Sequence, residues 1–189
     1  MFVKSKGPII RLLVFTMFVL FACNQAQAGK PAKPLTASIQ IAAPPEAVFE
    51  AVQKMRDSAP MHRKLLSYDG KVAKIQENLE SVPIYGKVEC VWEETEIPFE
   101  RIDYKMLSSD KFKSGSGSWI LTPSSDHKTT NLELQSFLDT GLRIPFAGEI
   151  TKMGAAKDNK VRLEHIKEVA EGLATKTETK HKADSVEKK

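Results

Sequence analysis

Residues 82–93 read VPIYGKVECVWE. Val82, Ile84, Val88, Cys90 and Trp92 share one parity, with Gly86 between them, while Lys87, Glu89 and Glu93 take the other. A period of two buries one face of a β-strand and leaves the other wet. The pattern recurs downstream. Ile102, Tyr104 and Met106 alternate with Arg101, Asp103 and Lys105. Gly115, Gly117, Trp119 and Leu121 form a further set, closed by Thr122-Pro123, and Leu132, Leu134 and Leu138 form the last. Pro98, Ser108-Ser109-Asp110 and Ser124-Ser125-Asp126 supply the turns between them. Consecutive alternating runs joined by short turns predict an antiparallel meander.

Upstream, Thr36–Ile41 alternates weakly and reads as a strand. Pro44-Pro45-Glu46 opens a helix, since proline is tolerated in a first turn and glutamate suits the N-terminal dipole. Val48, Phe49, Val52 and Met55 are its buried face. A short helix or turn is expected over 58–64, and Asp69-Gly70 marks a turn or bulge within 65–76. Downstream of the meander a long helix is expected over 147–174. Ile150, Met153, Ala156, Leu163, Ile166, Ala170 and Leu173 are its inward residues, and the polar turn 157–160 interrupts that face. The fold class is α+β: a curved antiparallel sheet wrapped around a long C-terminal helix.

The ends of the 189-residue chain differ in kind from this core. Lys4, Lys6 and Arg11 precede the uncharged run LLVFTMFVLFA over 12–22, and Ala26-Gln27-Ala28 follows. The run is short of the ~20 residues a membrane span needs, and together these features predict a signal peptide over 1–28. The expected location is periplasmic or secreted. Leu20-Phe21-Ala22-Cys23 also resembles a lipobox, which would lipidate Cys23 and tether the protein to a membrane by its N-terminus. Residues 29–35 read as a linker and 175–189 as a disordered tail. The chain has 28 basic and 24 acidic side chains, and removing the three cations of the leader leaves 25 against 24. Such a balance provides no field for nucleic acid, and no nucleic-acid partner is expected. A monomer is expected. Without Cys23 the chain keeps only Cys90, which excludes an internal disulfide.

Four stretches carry a family resemblance: Ala37–Val52 (ASIQIAAPPEAVFEAV), Gly117–Pro123 (GSWILTP), Asn131–Asp139, and Pro145-Phe146 leading into the last helix. Their order and spacing resemble the START-like, or Bet v 1-like, superfamily. The nearest likeness is to its polyketide cyclase/dehydrase and coenzyme-Q-binding branch. The resemblance covers about 36–172, within a domain expected at 36–174. It implies a helix-grip fold with a pocket between sheet and helix, and it implies relatives that either bind apolar molecules or cyclise and dehydrate them.

Sequence patterns for catalysis are absent: no H-E-x-x-H, G-x-S-x-G, P-loop or dinucleotide-binding glycines. His62, His127 and His165 lie too far apart in sequence for a metal motif, so neither metal nor cofactor is expected. Glu89, Glu93, Glu94 and Glu96 read as a solvated face or as residues following the strand's end. The leading reading is a non-catalytic carrier of a hydrophobic or amphipathic small molecule, such as a lipid or quinone. Trp92, Tyr104, Met106, Trp119, Leu134 and Met153 are the candidate lining, and His165 is a candidate for orienting a polar group. The alternatives are a cyclase or dehydratase using Tyr104, His165 or a carboxylate, and a protein-interaction module.

Overall fold

A computed structural model describes residues 33–187. The signal peptide expected at 1–28, its Cys23 and most of the linker lie outside the described residues.

Seven strands form one antiparallel sheet: β1 (Leu35–Ile41), β2 (Arg63–Tyr68), β3 (Val72–Val82), β4 (Gly86–Ile97), β5 (Arg101–Ser109), β6 (Ser114–Pro123) and β7 (Thr130–Asp139). The spatial order is β1-β7-β6-β5-β4-β3-β2, so the meander runs from β2 to β7 and β1 pairs with its last strand. Strands β1 and β2 are therefore opposite edges of the sheet. The chain crosses between them through helix α1 (Pro45–Lys54) and two 3₁₀ turns, Met55–Asp57 and Ala59–Met61. Val48, Phe49, Val52 and Met55 are buried as their spacing predicts.

Two features bend the sheet. Register slips by one residue where Leu66 in β2 and Leu107 in β5 have no partner, and such bulges kink a strand. On the inner face of β6, Gly115 and Gly117 leave room for the rings of Trp92 and Tyr104 from neighbouring strands.

The expected β4 alternation starts later than its parity suggested. Pro83, Ile84 and Tyr85 form the β3–β4 hairpin turn, where Ile84 has φ of 74° and is 60% exposed. The hairpin needs a left-handed residue beside Gly86, whose φ is 70°, and this overrides the apolar character of Ile84.

Helix α2 (Ala147–Glu187) covers the sheet. It packs on α1, β1 and β7. Asn159, Leu163, Ile166 and Ala170 are its buried residues, at spacings of four, three and four. Met153 and Ala156, assigned inward from sequence, are exposed, because Gly154, Ala155 and Asp158 continue the inward face towards the N-terminus instead. The polar turn at 157–160 does not break the helix. Nor does the helix stop at Ala174, where a disordered tail was expected; its backbone is helical to Glu187. No glycine or proline interrupts 175–187. The hydroxyls of Thr175, Thr177 and Thr179 donate to the carbonyls of Glu171, Leu173 and Thr175 one turn back.

Candidate ligand cavity

The apolar core is split. One cluster joins α1, the C-terminal part of α2 and the sheet around Ile102, Trp119, Leu132 and Leu134. The other gathers Val88, Cys90, Trp92 and Phe112, with Tyr85, Met106 and Leu138 packed around them. Tyr104 touches both. Between them lies a cavity of about 500 Å³, within the range of small-molecule sites. Its existence follows from the helix's course. The helix rests on α1, β1 and β7, so a rod and a curved sheet diverge towards β3 and β4, and residues of both line the gap.

Of the candidate lining residues, Trp92, Tyr104, Trp119 and Leu134 all reach the cavity wall. They come from four different strands, brought together by the registers Ile102–Trp119–Leu134 and Trp92–Met106. Met106 does not line the cavity; it packs behind Trp92 in the second cluster. Met153 is 75% exposed on α2, because its neighbours Gly154 and Ala155 take the inward positions. His165 is half-buried on α2 away from the wall. Tyr104 keeps its hydroxyl occupied by donating to the Gln135 carbonyl (3.0 Å), and burial raises its pKa far above the ordinary phenol value. Cys90 is buried too, and burial pushes its thiol up to about 11.

The cavity also has a polar wall that the sequence reading did not anticipate. Glu94 and Glu96 are not a solvated face: they are 1% and 5% exposed. Glu94 accepts from Arg56 Nε at 2.8 Å and from Arg63 Nη2 at 2.8 Å. Glu96 pairs with Arg56 Nη1 at 2.6 Å and accepts from Gln53 and from the Tyr68 hydroxyl, each at 2.9 Å. The Arg56 guanidinium also lies 5.2 Å from the centroid of the Tyr68 ring. Burial tends to lower the Arg56 pKa, but Glu94 and Glu96 reverse this and raise it.

A second ion pair spans the gap itself. Arg162 of α2 donates to Glu77 of β3, and its Nε donates to Asp158 at 2.6 Å. Burial alone pushes the Glu77 carboxyl up; Arg162 and Arg63 outweigh it and hold it below the ordinary range. Asn159, the residue after Asp158, donates to Ser136 of β7 at 2.9 Å. The signals for these residues were present. Glu94 and Glu96 continue the parity of Val88, Cys90 and Trp92, and Asn159 falls on the same helical face as Leu163 and Ile166. A carboxylate at an inward position reads as outward until its arginine, remote in sequence, is known.

Among the described residues, no group of His, Cys, Asp and Glu side chains is arranged to hold a metal ion.

A family model described as polyketide cyclase/dehydrase and lipid transport matches residues 34–171. Among curated proteins no sequence match is found. Solved structures share the fold. TTHA0849 from Thermus thermophilus is 19% identical with a TM-score of 0.63, covering 75% of this chain and 99% of that one. The Zhui aromatase/cyclase from Streptomyces sp. R1128 is 16% identical with a TM-score of 0.57, covering 74% and 93%. A START superfamily protein from Mycobacterium smegmatis is 14% identical with a TM-score of 0.56, covering 77% and 99%. At these identities the likeness is one of fold.

Proposed function

The chain belongs to the polyketide cyclase/dehydrase and lipid transport family, and from that premise we propose that it is a carrier for a hydrophobic or amphipathic small molecule. The observation that carries this reading is the cavity between the two halves of the core, walled by Trp92, Tyr104, Trp119 and Leu134. Apolar burial contributes about 25 cal/mol per Å², so a ligand burying ~300 Å² gains about 7 kcal/mol before ordering costs. That suffices for binding with few polar contacts. The test is mass spectrometry of solvent extracts of native protein, together with displacement of the neutral fluorophore N-phenyl-1-naphthylamine. A co-purified apolar ligand and saturable probe binding are expected; failure of both overturns the carrier reading.

Residues 1–28 support an exported carrier, periplasmic or secreted, or one tethered through Cys23. Sequencing of protein recovered from cells should find Gly29 or a lipidated Cys23 at the N-terminus. Cytosolic protein with Met1 intact would rule export out.

A cyclase or dehydratase reading has one observation in its favour, the carboxylate of Glu77 on the cavity wall. Its partner Arg162 keeps it ionised but makes it a weak base. Carriage therefore fits this wall better than proton abstraction. Turnover of a cyclisable substrate that is lost in Glu77→Gln would favour the enzyme instead.

A further inference from the structure

Among the described residues, four buried side-chain donor atoms have no hydrogen-bond partner: Nη2 of Arg56, Nε and Nη1 of Arg63, and Nε1 of Trp92. Three of the four belong to residues that line the cavity. Arg63 is 7% exposed. Its Nη2 is committed to Glu94, while Nε beside it and Nη1 on the opposite side of the guanidinium stay unpaired. The Trp92 indole N–H points towards Glu77 and helps hold its carboxyl down, but misses strict hydrogen-bond geometry, so a ligand oxygen there competes with Glu77 for it. The sheet places these groups on one face. Arg63 pairs with Glu77 and Ile75 pairs with Trp92, two residues along β3, so Arg63 and Trp92 are diagonal neighbours across that strand. Each unpaired buried donor costs about 1–3 kcal/mol, a cost recovered when an acceptor arrives.

The charge around these donors selects the kind of acceptor. The guanidinium groups of Arg56, Arg63 and Arg162 face the buried carboxylates of Glu77, Glu94 and Glu96, so these buried charges already cancel. On the cavity wall itself the cations Arg63, Lys157 and Arg162 stand against the carboxylates Glu77, Glu80, Glu94 and Asp158, which leaves no excess of positive charge. An anionic head would be desolvated with no net counter-charge to receive it. A neutral oxygen acceptor fills the unpaired donors without that penalty.

We propose that the cavity holds its ligand by a neutral carbonyl-type oxygen, received by the unpaired N–H groups of Arg63 and Trp92, with the apolar part against Trp119 and Leu134, and that it disfavours a free carboxylate or phosphate. This rests on the carrier reading and names its ligand class.

The test compares methyl laurate, lauric acid and dodecane as competitors of N-phenyl-1-naphthylamine at neutral pH, on the intact protein. The ester should compete about tenfold better than the alkane, the increment of one good hydrogen bond, and better than the acid. Trp92→Phe keeps the apolar ring and removes only the donor. Arg63→Lys keeps the charge facing Glu94 and removes Nε and Nη1. Within each variant the ratio of ester to alkane competition should fall about three- to tenfold relative to the wild type, whatever the change in alkane competition itself. Circular dichroism confirms that each is folded, and either variant alone decides the point. An acid that competes as well as the ester, or an ester advantage unchanged in the folded variants, overturns the ligand class while probe binding keeps the carrier reading. A probe that does not bind the wild type overturns both.

Discussion

The ring of Trp92 stands over Gly115. A β-carbon at position 115 would lie 2.7 Å from ring carbon Cη2 and 2.9 Å from Cζ3. Trp92 is on β4 and Gly115 on β6, so the indole reaches across β5 to cover the glycine. The ring is held there by Tyr104 of β5, edge-on at 5.8 Å between centroids. This contact fixes one wall of the cavity.

Gly115→Ala is expected to destabilise the protein by about 1–3 kcal/mol, because the methyl group displaces a buried ring. The usual effect of such a change within a strand has the opposite sign, a gain of about 0.5–1 kcal/mol. Gly172 is the control, lying in α2 with nothing within 4 Å of an added β-carbon. Gly172→Ala should stabilise by up to about 1 kcal/mol. Urea unfolding of both variants reads the signs, and equal signs would remove Trp92 from its place over Gly115.

Trp119 and Met153 should respond in opposite ways. Trp119 is 2% exposed and packs in the larger cluster, so Trp119→Ala should cost about 3–5 kcal/mol. Met153→Trp should change stability by less than about 0.5 kcal/mol and leave probe binding intact, since the side chain faces outward. Loss of binding in the Met153 variant would place that residue at the cavity after all.

Glu77 gives the protein a defined acid response. Burial favours its protonated form, but Arg162 and Arg63 prevail, and its folded pKa lies below the ordinary 4.5. The unfolded chain therefore binds this proton more readily. The stabilisation is complete above about pH 4.5 and is lost as pH falls through the folded value. Glu77→Gln should be less stable at neutral pH, where Arg162 loses its buried counter-charge and keeps only the half-exposed Asp158, and should have a shallower decline on acidification. Urea midpoints measured from about pH 3 to pH 7 test this, and parallel curves would contradict the ion pair.

Cys90 should be silent as a thiol. It is fully buried, with its pKa pushed up to about 11. Ellman's reagent at mildly alkaline pH should leave it unmodified in the folded protein and titrate it in urea. Rapid reaction in the folded state would mean that the second cluster opens.

The strands, their turns and the order of elements were legible because each rests on local signals: parity, glycine and proline positions, and the spacing of Val48, Phe49 and Val52 on α1. Trp92, Tyr104, Trp119 and Leu134 could be nominated for the same reason, since parity assigns a face. Glu94 and Glu96 share the parity of Trp92, yet they read from sequence as a solvated face or as residues following the strand's end. Charge argued against burial there, because an isolated carboxylate cannot be buried. Only the tertiary structure resolves this conflict, by bringing Arg56 and Arg63, 38 and 31 residues from Glu94, within 2.8 Å of its two oxygens. The first turns of α2 were given the wrong inward residues, Met153 and Ala156, for a related reason. The helix begins with small and polar residues, and it faces a cavity rather than a packed core, so its hydrophobic pattern carries no clear direction until Leu163. Sequence by itself determined which backbone forms and which residues share a face. Tertiary structure decided what those faces meet, because burying a charge or leaving a void depends on partners remote along the chain.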